Sequence, residues 1–78
     1  MTISHDILLD LTGMESPIPV IKTKETLDSM SVGQVLCLMT DSESASKNIR
    51  TLIINNPYEL IRLSTRKEVS TFIIRKNG

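Results

Sequence analysis

Residues 13 to 20, Gly-Met-Glu-Ser-Pro-Ile-Pro-Val, hold the side chains best placed to do chemistry or to shape it. Ser16 carries a hydroxyl, and Pro17 and Pro19 follow it on either side of Ile18. Serine is a favoured N-cap and proline is favoured at the first helical position. The spacing therefore predicts a helix with Ser16 as cap, Pro17 at N1 and Pro19 at N3. Both prolines lack an amide, which leaves the Ile18 amide as the donor free to reach the Ser16 oxygen. A helix N-terminus favours negative charge and lowers the pKa of a thiol placed there. A cysteine at position 16 would make a good thiolate; a serine there needs a strong base.

That base is hard to find. The one histidine, His5, precedes the first apolar run, whereas Ser16 follows it. A strand of about five residues spans roughly 16 Å, so His5 belongs at the end opposite Ser16. This geometry argues against a Ser–His pair within one chain and leaves only a base supplied by a second chain. Asp10 and Asp41 end their strands on the Ser16 side. Lone carboxylates there serve more often as caps and turn residues than as catalysts.

The elements that must position Ser16 are legible from punctuation and periodicity. Ile7 to Leu11 is a short apolar run and reads as a strand. Ile18 to Met30 reads as a helix: Val20, Leu27 and Met30 share a stripe with Thr23 between, while Lys22, Lys24, Glu25 and Asp28 face water. Gln34 to Met39 is a nearly continuous apolar strand, as a central strand would be. Asp41 and Ser42 offer caps to a second helix, in which Ala45, Ile49, Leu52 and Ile53 recur at helical spacing. Tyr58 to Ser64, a turn at Thr65-Arg66-Lys67, and Val69 to Lys76 read as a closing hairpin. The order β-α-β-α-β-β, with a helical crossover between parallel first strands, predicts an α+β two-layer sandwich with both helices on one face of a four-stranded sheet. The third and fourth strands do not reveal which alternate residues point inward.

Bulk properties narrow the function classes. Seventy-eight residues suit one small domain, spanning 1 to 78. Nine basic and nine acidic residues cancel, and Tyr58 and Phe72 are the only aromatics, so neither electrostatics nor stacking favours nucleic acid. One cysteine, Cys37, permits no internal disulfide and no cysteine-rich zinc site, which suits a reducing compartment. No apolar run reaches membrane-spanning length, and the N-terminus shows no secretory signal pattern. The expectation is a cytoplasmic chain with no metal.

Residues 9 to 30, LDLTGMESPIPVIKTKETLDSM, followed by GQVLCLMTD at 33 to 41 and FIIRK at 72 to 76, resemble the TusA/SirA family of small sulfur-carrier proteins. The resemblance covers nearly the whole chain in the right order. It implies a β-α-β-α-β-β sandwich of sheet order 1-2-4-3, similar to the C-terminal domain of bacterial translation initiation factor three. It also implies a sulfurtransferase-like function without a cofactor. The cysteine of a Cys-Pro-x-Pro motif accepts sulfur as a persulfide from a cysteine desulfurase or rhodanese-like donor and passes it to an acceptor protein. Uses include tRNA thiolation, sulfur oxidation and cofactor assembly. By position the sulfur-bearing residue falls on Ser16, with Gly13, Pro17 and Pro19 as the other motif residues.

The chain departs from this pattern at Ser16, which cannot hold a persulfide. Three explanations are open: a cysteine replaced by serine in this chain, a natural member that binds partners without carrying sulfur, or sulfur routed through Cys37. The mid-strand place of Cys37, with no helix N-terminus or adjacent cation, argues for packing instead. Asn56-Pro57-Tyr58 also stands where relatives often have Gly-His. Met14 and Glu15, beside Ser16, and Lys22, Arg66 and Lys67 are candidates for partner binding. Met14 folding back onto the core and a merely solubilising hairpin tip are the competing readings. Arg75 and Lys76 belong at the far end and read as solubility or edge-protecting residues. The alternative to a carrier is a non-catalytic binding or regulatory module on the same fold.

Overall fold

In the computed structural model, which describes residues 5–78, the chain forms β1 (Ile7–Asp10), α1 (Ile18–Ser29), β2 (Val35–Thr40), α2 (Glu43–Ile54), β3 (Tyr58–Arg66) and β4 (Val69–Lys76). The sheet order is β1-β2-β4-β3, as the family resemblance implies. β1 and β2 are parallel, pairing Ile7 with Leu36 and Asp10 with Met39. β4 is antiparallel to both β2 and β3. Residues 1–4, on which part of the leader reading rests, lie outside the described residues. No helix among the described residues is long and apolar enough to cross a membrane.

Alternation divides the two sheet faces. Leu36, Leu38, Phe72 and Ile74 are fully buried and pack with Leu11, Leu27, Ile49 and Ile53 from the helical layer and the β1 exit. The intervening residues of β2 and β4, Cys37 and Ile73, pair with each other on the opposite face, where Leu8 is Cys37's partner on β1. Leu8 is 57% exposed, so this face is partly bare, as two helices on one side predict. The third strand resisted a sequence reading for a structural reason. Its register shifts between Leu60 and Arg62, a bulge at Ile61 that breaks the period of two.

Local chemistry sets the boundaries. Ser42 caps α2, its hydroxyl accepting from the Ala45 amide at 3.1 Å, and Glu43 places a negative charge in the first turn. Thr23, buried on α1, donates its hydroxyl to the Pro19 carbonyl at 2.7 Å, which lets a polar residue sit in the apolar stripe. β3 runs two residues further than expected. The turn falls at Lys67 and Glu68, both in left-handed backbone at φ 51° and 68°, rather than at Thr65-Arg66-Lys67. Lys76 closes the C-terminal end of α1, its Nζ donating to the carbonyls of Asp28 and Met30 at 3.2 and 2.9 Å. Arg75 pairs with Glu59 at 2.8 Å across the hairpin.

Candidate functional site

Ser16 lies in the loop between the carboxyl end of β1 and the start of α1, exposed to solvent. Several contacts fix this loop. The Leu11 amide continues the ladder to the Met39 carbonyl at 2.8 Å, and Leu11 is fully buried. The Asp10 carboxylate accepts from both the amide and the hydroxyl of Thr12, at 3.0 and 2.7 Å. The Thr12 hydroxyl first, and its amide second, hold the Asp10 carboxyl below its ordinary pKa. The Gly13 amide donates to Asp41 Oδ1 at 2.9 Å, joining the loop to the exit of β2. Gly13 has a φ of +84°, a left-handed conformation glycine adopts without a side-chain clash.

The expected capping by Ser16 is corrected by the structure. Pro17 stands at the cap position, so Ile18 is N1 and Pro19 is N2, and no side chain caps the helix. The Ile18 amide donates instead to the Glu15 carbonyl at 3.1 Å. The Ser16–Pro17 peptide bond is cis. With its capping partner taken, the Ser16 hydroxyl accepts from Ser44 Oγ of α2 at 3.4 Å. Two helix N-termini thus meet at position 16.

Met14 is half-buried and packs against the hydrophobic core. Glu15 is exposed, and it lines a groove with Gly13, Met14, Asp41, Ser42 and Glu43. The groove's neighbour across Asp41 to Glu43 reaches Thr65, Glu68 and Ser70 at the tip of the hairpin. Arg66 and Lys67 are at the Ser16 end of the sheet, as expected, but Glu68 is the hairpin-tip residue that faces the groove. Lys22 is exposed on α1, and among the described residues no ion pair or hydrogen bond ties it to Arg66 or Lys67. This end therefore presents the carboxylates of Glu15, Asp41, Glu43 and Glu68 alongside the cations Arg66 and Lys67. Cys37 is buried on the open sheet face, and burial raises its thiol pKa. Among the described residues no cluster of histidine, cysteine, aspartate and glutamate could hold a metal.

The sequence model of the family described as sulfurtransferase TusA matches residues 7–76, all six secondary-structure elements included. The chain belongs to this family. The sulfur carrier protein TusA of Allochromatium vinosum is 29% identical over 69 residues, covering 88% of this chain and 91% of that protein. A candidate sulfur carrier protein of Methanocaldococcus jannaschii is 32% identical over 68 residues, covering 87% and 91%. The crystal structure of a SirA-like protein from Desulfitobacterium hafniense superposes with a TM-score of 0.79 at 23% identity, covering 94% of this chain and all of that one. That likeness establishes the fold.

For a TusA-family chain, the structure puts Gly13, Met14, Glu15, Ser16, Pro17 and Pro19 in one continuous segment ahead of and into α1. Sequence reasoning overlooked Ser44. It is an ordinary polar residue in the first turn of α2, and only the packing of the two helix starts reveals its partner.

Proposed function

We propose that this chain is a sulfur-relay protein of the TusA type whose acceptor position, at the start of α1, is occupied by Ser16. It docks to a cysteine desulfurase or rhodanese-like donor and to a downstream acceptor protein, and it is inert for transfer as it stands. The observation that carries the reading is the match of the whole β-α-β-α-β-β chain to the TusA family, together with the Ser16-Pro17-Ile18-Pro19 segment at the motif position, in which Ser16, Pro17 and Ile18 are exposed and Pro19 is buried.

The chemistry needs a thiolate at position 16. That thiolate would attack the terminal sulfur of a donor persulfide; a sulfur–sulfur bond forms at position 16 as the donor's own sulfur–sulfur bond breaks. The electron pair leaves on the donor thiolate, so no external oxidant or reductant is required. The α1 N-terminus favours the anion, and the two prolines hold it at the surface. A serine hydroxyl supplies neither the nucleophilicity nor a stable persulfide.

Gly13, Pro17 and Pro19 shape the segment in this reading, and Met14, Glu15, Lys22, Arg66 and Lys67 border the docking surface. The second reading, a binding or regulatory module, draws on the same observation that Ser16 occupies the acceptor position. Intact mass after incubation with a cysteine desulfurase and free cysteine separates them. The carrier reading expects the Ser16→Cys variant alone to gain one sulfur atom, lost again to reductant. If neither protein gains sulfur while both fold, the binding-module reading replaces it for that donor.

A further inference from the structure

We infer that Ser44 is a positioning residue for the acceptor site: its hydroxyl is the hydrogen-bond donor to the atom at position 16, and it favours the anionic form when that atom is sulfur. The inference rests on the sulfur-relay reading above.

Ser44 sits in the first turn of α2, whose start is fixed by Ser42 capping the Ala45 amide. From there its Oγ donates to Ser16 Oγ at 3.4 Å. That spacing is long for two hydroxyls, which prefer roughly 2.7 to 2.8 Å. Sulfur is larger than oxygen and makes longer hydrogen bonds, so the same spacing suits a sulfur acceptor better than the oxygen now there.

The charges around position 16 give this donor its importance. Glu15 precedes it, and Asp41 and Glu43 share the groove with Glu15. Glu68 faces the adjoining groove, with Arg66 and Lys67 beside it on the hairpin tip, and Lys22 and Lys47 lie further along their helices. Carboxylates nearby disfavour an anion at position 16. The α1 N-terminus and the Ser44 hydroxyl act in the opposite direction, because a hydrogen bond to the charged form stabilises it.

The test is a thiol titration of the Ser16→Cys variant in a Cys37→Ala background, so that one thiol remains, followed by ultraviolet thiolate absorbance. Adding Ser44→Ala should raise the midpoint by about half a unit to one unit and slow iodoacetamide alkylation at neutral pH several-fold. Adding Ser44→Thr, which keeps a hydroxyl, should leave the midpoint near its starting value. An unchanged midpoint in Ser44→Ala, or a Ser44→Thr variant that titrates like Ser44→Ala, overturns the inference. No donor protein enters this measurement. A failed sulfur-loading assay with an intact Ser44 effect therefore counts against the relay reading alone, and successful loading without a Ser44 effect counts against this inference alone.

Discussion

The Gly13 amide and Asp41 Oδ1 are 2.9 Å apart although 28 residues separate them. This bond couples the segment that carries Ser16 to the point where β2 gives way to α2, the element that carries Ser44. Replacing Asp41 by alanine should cost about 1 kcal/mol, below the range for a hydrogen bond to a buried charged acceptor because the pair is exposed. Asp41→Asn, which retains an acceptor oxygen, should recover most of it. Urea unfolding reads both, and Gly13 amide exchange should quicken in Asp41→Ala. Equal midpoints for Asp41→Ala and the parent would show that the two loops are held by other means.

Thr12 is the main reason that the Asp10 carboxyl lies below its ordinary value of 3.8. An acid with a depressed folded pKa adds stability at pH values above its unfolded pKa and loses it as the pH falls through the folded one. In Thr12→Val the hydroxyl bond disappears while the amide bond stays. Carbon-detected NMR titration should show the Asp10 midpoint rising toward the ordinary carboxylate value. The stability difference between the two proteins should be present at neutral pH and close in acid. A midpoint that does not move would mean the amide alone sets it.

Lys76 supplies the cation that the last turn of α1 lacks in its own sequence. Its ammonium meets two helix-end carbonyls, Asp28 and Met30, and the helix dipole favours positive charge there. Lys76→Met keeps most of the apolar stem and removes the donor. It should destabilise by about 1 kcal/mol. Arg75→Met breaks an ion pair whose two partners are each nearly half exposed, and should cost less than about half of that. Chemical denaturation of the two variants side by side checks the order; the reverse order would remove Lys76 from its capping role.

Lys76 and Ser16 together show how far the residues alone reach. Element order and type were readable because β2 is continuously apolar and α2 repeats Ala45, Ile49 and Ile53 on one face. The place of Ser16, exposed ahead of α1 beyond the carboxyl end of β1, was readable from that order. Its hydrogen-bond partner was not, because the cap geometry depends on how Pro17 sits, and Ser44 is remote in sequence. Lys76 looked like a solubilising tail residue, since nothing local marks a lysine that reaches back to a helix end 46 residues earlier. The uncertain faces of β3 trace to the bulge at Ile61, which no proline or glycine announces.

The β3–β4 turn was misplaced for a related reason. Two-residue hairpin loops with both central residues at positive φ usually carry Asn-Gly, and here Lys67 and Glu68 occupy those positions. Left-handed backbone costs ordinary residues roughly 1 kcal/mol or more each. The double change Lys67→Asn with Glu68→Gly should therefore stabilise the chain by about 1 kcal/mol after the unfolded-state entropy of glycine is subtracted. Thermal or urea unfolding tests it, and a loss of stability would mean that the Lys67 or Glu68 side chain makes an offsetting contact.

Cys37 offers the last discrimination, between a carrier site at position 16 and sulfur routed through the sheet. It is buried at mid-strand, paired with Leu8 and Ile73 in the register, and burial raises its pKa. Below that raised value the reactive thiolate is a small fraction that grows about tenfold per pH unit. In the folded chain, alkylation of Cys37 at neutral pH should be slow, and unfolding in urea should accelerate it strongly. Cys37→Ala should leave sulfur loading of the Ser16→Cys variant unchanged, with the added atom mapped to the peptide containing position 16. If Cys37→Ala abolishes loading while the fold persists, sulfur enters through β2, and the exposed segment before α1 is a docking surface without an acceptor role.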